Sequence, residues 1–133
     1  MRSMEGLDGM VEKVPREVEA KYTKYLKLRE TLSKIAQEKV LTQAALEETK
    51  ALLDELSKLP DDAEVYKLQG FVLVRVAKQD LVKELEEKKE DLEIKLKALE
   101  AQEKKLSEDI TRLLEEIKKM LGAAGTGAGP VGG

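Results

Sequence analysis

The sequence predicts a mainly α fold, in which two long helices form an antiparallel coiled coil with one β-hairpin between them. Residues 16–58 and 78–121 support the helices, because neither segment contains Gly or Pro. In both segments apolar side chains recur at alternating spacings of three and four, the pattern of a coiled-coil seam. Between them, β-branched and aromatic residues surround Gly70, which predicts two strands and a tight turn.

The composition favours helices over an ordinary globular core. Of 133 residues 38% are charged and 3% aromatic, with one Phe, three Tyr and no Trp. Abundant Ala, Glu, Lys, Leu and Arg match the composition of coiled coils instead. The chain also contains no Asn. This indicates either a thermophilic source with few labile amides or simply the Glu- and Lys-rich bias of coiled coils.

The missing residue types exclude several functional classes. Without Cys or His, the chain has no thiol nucleophile, no disulfide framework and none of the commonest metal ligands. A net charge of −3 argues against nucleic acid, which binds basic faces. No apolar run approaches the roughly 20 residues of a membrane span. We therefore expect a cytoplasmic protein that is not an enzyme and binds no cofactor, metal, nucleic acid or membrane.

The first helix follows a leader, residues 1–13, that has no periodicity and is expected to be flexible. Pro15 suits the first helical turn, where its missing N–H costs nothing. Lys39, Thr42 and Thr49 are polar interruptions of the seam. The apolar residues of the seam in this first helix are Val18, Tyr25, Leu28, Leu32, Ile35, Leu46, Leu53 and Leu56.

The second helix has Asp80 as its predicted N-cap and ends at Gly122, before a Gly-rich, flexible tail at 122–133. Coil and hairpin thus occupy residues 14–121. Lys89 and Glu103 interrupt a seam formed by Val82, Leu85, Leu92, Leu96, Leu99, Leu106, Ile110, Leu113, Ile117 and Met120. One register that matches the two seams sets Val18 against Met120, although registers shifted by a heptad would match as well.

Many acidic residues on the outer faces precede a basic residue by four positions, the favourable order for an ion pair within one helix. We interpret these faces as solvated surfaces that keep the coil soluble. The predicted pairs are Glu17–Lys21, Glu30–Lys34, Asp54–Lys58, Glu84–Lys88, Asp91–Lys95, Glu93–Lys97, Glu100–Lys104, Glu108–Arg112 and Glu115–Lys119.

The hairpin is predicted at about residues 63–77, after Pro60 ends the first helix. Its second strand has apolar residues on both faces, and a lone two-stranded hairpin is marginal in water with open edges. We therefore expect it to join an intersubunit β-barrel; the alternative is that it folds back on its own coil. The residues assigned to subunit assembly are Val65, Tyr66, Leu68, Gly70, Phe71, Val72, Leu73, Val74 and Val76.

The stretch LPDDAEVYKLQGFVLV (59–74), followed by the helix LVKELEEKKEDLEIKLKALEAQEKKL (81–106), resembles the β-type subunits of the prefoldin family. The resemblance covers about residues 14–121, and the single hairpin matches the β-type, since the α-type carries two. It implies a hexamer of two α-type and four β-type subunits. In that family, hairpins form a double β-barrel from which the coiled coils project.

The resemblance also implies an ATP-independent chaperone, which holds unfolded client proteins and passes them to a group II chaperonin. Clients would bind at the coil tips remote from the hairpin. Ten residues lie at that end: Val14, Val18, Tyr22, Tyr25, Leu26, Leu113, Leu114, Ile117, Met120 and Leu121. Val18, Tyr25 and Leu113 could equally pack against each other, whereas Tyr22, Leu114 and Leu121 lie beside the seam and favour client contact.

Three other functions fit the sequence less well. A structural scaffold that binds folded partners would not need a two-faced apolar hairpin. The helical arm of a tRNA-binding enzyme is disfavoured by the acidic balance and by the lack of a catalytic domain. An enzyme of its own is disfavoured because acids and bases alternate on exposed faces without forming a ligand cluster.

Overall fold

The computed structural model describes residues 15–124 as two helices joined by a hairpin, which confirms the predicted fold class. In chain order the elements are α1 (Arg16–Ser57), β1 (Val65–Gln69), β2 (Val72–Val76) and α2 (Lys78–Ala124). The predicted leader at 1–13, Val14 and the tail from residue 125 onward lie outside the described residues.

Local hydrogen bonds close the C-terminal end of α1. After α1, the amides of Lys58 and Leu59 bond to carbonyls three residues earlier, at 3.2 and 3.1 Å. Pro60 cannot continue this helix, and its carbonyl instead accepts the Ala63 amide at 3.0 Å, closing a turn. Extra tight bonds of this kind satisfy carbonyls that the helix end would leave unpaired.

Two helix-end predictions on α2 were wrong. The helix begins at Lys78, so Asp80 lies in its first turn rather than at the N-cap. There its negative charge complements the helix dipole. At the other end, α2 continues through Gly122 to Ala124. Because two alanines, the best helix formers, follow Gly122 directly, they offset its low helix propensity.

The described residues fall into two compact units. The terminal unit contains residues 15–35 and 102–124, and the hairpin unit contains residues 36–101. In the terminal unit Val18, Leu113 and Ile117 form a buried cluster, against which Met120 packs. Tyr25 and Leu28 pack on it as well. The start of α1 thus contacts the end of α2, and the helices run antiparallel.

The hairpin unit has its own buried residues. Leu46, Leu56 and Leu99 are at most 8% exposed, as are the polar seam residues Thr42 and Thr49. Glu38 of α1 and Lys95 of α2 form an ion pair of 2.6 Å across the helices. In both units, every predicted seam position is buried or half-buried, which confirms the seam.

The hairpin is antiparallel, with Val65 opposite Val76 and Gln69 opposite Val72. Its loop therefore consists of Gly70 and Phe71. Gly70 has a φ of +60°, which both primed hairpin turns require at the first loop position and which Gly adopts without strain. The predicted strands and turn are confirmed.

Candidate functional site

The terminal unit places the predicted client-contact residues in three groups. Val18, Leu113 and Ile117 are buried in the seam. Tyr25, Leu114 and Met120 are half-buried, whereas Tyr22, Leu26 and Leu121 are 51%, 47% and 44% exposed. Val14 lies outside the described residues. Without a rearrangement of the coil, the residues beside the seam are thus the ones that another molecule could contact.

One side of the terminal unit is ionic. A groove of about 280 Å³ runs beside the seam there. We call it the ionic edge; it is lined by Lys24, Leu28, Lys105, Asp109, Arg112, Leu113 and Glu116. On α1 and α2, Lys24, Asp109 and Glu116 each directly precede a seam residue. This side of the coil is thus occupied by charged groups, of which Arg112 and Asp109 form an ion pair.

The ionic edge carries an ion pair between the two helices. Lys21 Nζ donates to Glu116 Oε2 at 2.8 Å. This hydrogen bond and the positive charge of Lys21 hold the pKa of Glu116 below its usual value, and the charges of Arg112 and Lys24 lower it further. Lys21 sits in the seam layer next to Val18, where the sequence analysis assigned no residue. The heptad spacing places position 21 in the seam, so the sequence did contain the information needed to assign Lys21 there.

The opposite side of the same unit is apolar. Residues that directly follow a seam position lie on the other flank of each helix, and there Tyr22, Leu114 and Leu121 face away from the ionic edge. Leu26 lies one helical turn after Tyr22 on the same flank. We call these four residues the apolar edge. It presents large apolar side chains, of which Tyr22, Leu26 and Leu121 are exposed and Leu114 is half-buried.

The aromatic part of the apolar edge is ordered by contacts within α1. The rings of Tyr22 and Tyr25 are 5.7 Å apart between centroids, at 30°. Arg29 lies 5.8 Å from the centre of the Tyr25 ring and donates to the Tyr25 hydroxyl at 3.3 Å. These contacts restrict the rotamers of the two tyrosines. The exposed Tyr22 ring therefore packs against Tyr25, whose own position is fixed by Arg29.

The hairpin carries the second apolar surface. At its base Val65 is buried and Val76 is half-buried. All other residues assigned to assembly are exposed, namely Tyr66, Leu68, Gly70, Phe71, Val72, Leu73 and Val74. This disfavours the alternative in which the hairpin folds back on its own coil, because such packing would cover them.

The hairpin is anchored to the helices beside it by charged groups. Lys67 of β1 pairs with Glu84 of α2. Lys78 Nζ donates to the Leu59 carbonyl at 2.7 Å and to Asp61 at 3.3 Å, and the Lys78 side chain is only 10% exposed. These contacts hold the base of the hairpin while its apolar faces stay uncovered.

Nothing in residues 15–124 assembles a metal centre, since no three carboxylates come together as ligands. Neither helix in this range is long and apolar enough to cross a membrane. The hairpin unit also contains exposed apolar side chains that the sequence reading did not single out. Val40, Leu41 and Ile94 are between 62% and 68% exposed, and their positions outside the seam were the available signal.

Comparisons with known proteins agree with the fold. A family model described as prefoldin subunit matches residues 19–124. A solved structure of the prefoldin beta subunit from Thermococcus strain KS-1 superposes with a TM-score of 0.73 at 42% identity. That match covers 80% of this chain and 93% of the other.

Curated relatives named prefoldin subunit beta also match. The protein of Sulfolobus acidocaldarius is 36% identical over 80 residues, which is 60% of this chain and 64% of the relative. That of Saccharolobus islandicus is 40% identical over 81 residues, or 61% of this chain and 64% of the relative. The chain thus spans somewhat less than two thirds of these relatives. Since the family model matches most of its length, the chain belongs to the prefoldin family.

Proposed function

We propose that this chain is a subunit of an ATP-independent chaperone that holds unfolded proteins at the apolar edge of its terminal unit. The observation that carries the proposal is the contrast between the two sides of that unit. Charged groups pair on the ionic edge, whereas Tyr22, Leu26 and Leu121 stay about half exposed. Exposed apolar patches with polar surroundings are typical of binding sites for other proteins.

The proposed site is small, so its strength depends on repetition. A few half-exposed side chains bury too little area for a stable complex on their own. Several subunits engaging one client would raise the overall affinity without any single strong contact. The proposal therefore includes an assembly of two α-type and four β-type subunits, joined through the exposed hairpins. The last part of the proposal is that the assembly delivers the bound client to a group II chaperonin.

The test replaces the apolar edge in the full chain. We expect Tyr22→Ser, Leu114→Ser and Leu121→Ser together to abolish suppression of aggregation of a chemically denatured test protein, measured by light scattering. Ile117 is left unchanged because it is buried, and its loss would destabilise the coil. Circular dichroism and native mass establish that the variant retains its helices and its assembly.

A matched control removes equally apolar side chains elsewhere. Val40→Ser, Leu41→Ser and Ile94→Ser alter residues that are exposed but lie in the hairpin unit, and we expect full protection from this variant. Undiminished protection by the edge variant would overturn the proposal. If the control variant alone lost binding to a folded partner protein, that result would instead favour a scaffold that binds folded proteins.

A further inference from the structure

The charge of the terminal unit differs in sign from that of the whole chain. Its helical residues, 16–35 and 102–124, contain 11 basic and 8 acidic residues. The hairpin unit contains 11 basic and 16 acidic residues, and the chain as a whole has a net charge of −3. The part of the molecule that carries the apolar edge is therefore locally basic.

Two cations border the apolar edge, and a third lies on the same flank about 15 Å from Leu114 along α2. Arg29 follows Leu26 by three positions, Lys118 lies between Leu114 and Leu121 on the same flank, and Lys104 lies further along that flank of α2. All three are exposed. The one acidic residue on this flank is Glu19. Beyond it, on the outer face of α2, Glu108 and Glu115 begin a more acidic surface.

These cations have no carboxylate within ion-pair distance among the described residues. Lys21, Arg112 and Lys34 each lie within 4 Å of an acid. Arg29 instead contacts only the Tyr25 ring and hydroxyl, and no carboxylate of residues 15–124 lies within that distance of Lys104 or Lys118. Their charges are thus available to a ligand bound on the apolar edge.

We infer that the apolar edge selects unfolded segments in which apolar residues alternate with acidic ones. The apolar side chains would cover Tyr22, Leu114 and Leu121, while the carboxylates would pair with Arg29, Lys104 and Lys118. Lysine-rich apolar segments would bring like charges together and bind more weakly. This inference rests on the proposed function and names the chemistry of its clients.

The experiment measures the affinity of three labelled, unstructured peptides for the full chain in the assembly it forms. The peptides share their Leu, Val and Phe positions and differ only in the intervening residues, which are Glu, Gln or Lys. We expect the Glu peptide to bind about fivefold more tightly than the Gln peptide at low salt, given the modest strength of exposed ion pairs. The Lys peptide should bind least, and high salt should reduce all differences.

Two triple variants locate the effect. Arg29→Gln, Lys104→Gln and Lys118→Gln together should make the Glu and Gln peptides bind alike. Lys27→Gln, Lys105→Gln and Lys119→Gln remove the same number of charges from the side of the ionic edge and should preserve the preference. Lys27, Lys105 and Lys119 are also exposed and outside any ion pair of residues 15–124, so the two variants are matched.

The outcomes separate this inference from the proposed function. Equal affinity for all three peptides would overturn the inference and leave the proposed function standing, since all would bind. A preference that survives the edge variant, or that the control variant abolishes, would also overturn it. Binding of none of the peptides would count against the proposed function itself.

Discussion

Two threonines in the seam of the hairpin unit show how much a single hydrogen bond changes the role of a residue. Thr42 and Thr49 are 3% and 1% exposed. The Thr49 hydroxyl donates to the Ala45 carbonyl at 2.8 Å, whereas the Thr42 hydroxyl has no partner in residues 15–124. A buried polar group without a partner costs about 1–3 kcal/mol. Thr42 therefore weakens the coil where Thr49 does not.

Replacing Thr42 by Val should raise the melting temperature, by roughly 3–6 °C if about 1 kcal/mol is recovered. Thr49→Val is the matched control and should bring no comparable gain, because it removes a hydroxyl that is already paired. Both are measured by circular dichroism at one protein concentration, since association makes Tm depend on concentration. An equal gain in the two variants, or a loss with Thr42→Val, would contradict the assignment.

At the scale of elements, the same residue type has opposite roles in the turn and in the helix. A Cβ added to Gly70 or Gly122 would meet no atom within 4 Å, so steric contact does not distinguish them. Their backbones do. Gly70 has a φ of +60°, where an L-residue is disfavoured by about 1–2 kcal/mol. Gly122 lies inside α2, where Ala is favoured over Gly by up to about 1 kcal/mol.

We therefore expect Gly70→Ala to lower the free energy of unfolding and Gly122→Ala to raise it slightly. Denaturant unfolding followed by circular dichroism measures both, and each variant serves as the control for the other. A stabilising Gly70→Ala would mean that the turn does not need a positive φ at this position.

The seam could be predicted from sequence, but most ion pairs could not. Apolar spacing determines which face of a helix is buried, and that face needs no knowledge of its partner. Of the predicted pairs within one helix, Glu30–Lys34 and Asp54–Lys58 form in the described residues. Elsewhere Lys21, Glu84 and Lys95 pair with distant residues instead. These choices depend on the antiparallel register, which the spacing of one helix does not specify.

The candidate site, too, could be predicted from sequence only in part. The sequence located the tip because it lies opposite the hairpin along the chain, and it favoured Tyr22 and Leu121, which are exposed. It also set Leu113 apart as a residue that could pack in the seam, where it is buried, but it made no such distinction for Ile117, which is buried too. Nor did it identify the cations on the apolar edge. That edge combines the flanks of two helices, so it is defined only once the helices are paired.

At the scale of the whole molecule, the hairpin is the largest apolar feature that residues 15–124 leave uncovered, and the proposed assembly would cover it. Leu68 and Leu73 are opposite each other on the two strands, and each is 66% exposed. Covering such side chains is worth about 25 cal/mol per Å² of apolar surface. Since residues 15–124 leave them uncovered, a neighbouring subunit is the proposed source of that cover.

Replacing Leu68 and Leu73 by Thr, which retains a high strand propensity, should reduce the native mass to that of the single chain. The control Val40→Thr and Leu41→Thr alters an equally exposed apolar pair on α1 and should leave the mass unchanged. Native mass spectrometry is carried out with and without candidate α-type partners. A mass that the hairpin variant does not change would argue against assembly through this surface.

The Lys78 side chain gives the hairpin a fixed attachment. One nearly buried ammonium group contacts the Leu59 carbonyl and Asp61, and so ties the first turn of α2 to the segment that leaves α1. This segment contains Pro60, whose φ is fixed. The start of α2 is thus bonded to the segment before β1 and follows β2 directly along the chain. Within the hairpin unit, we therefore expect the two ends of the hairpin to move together.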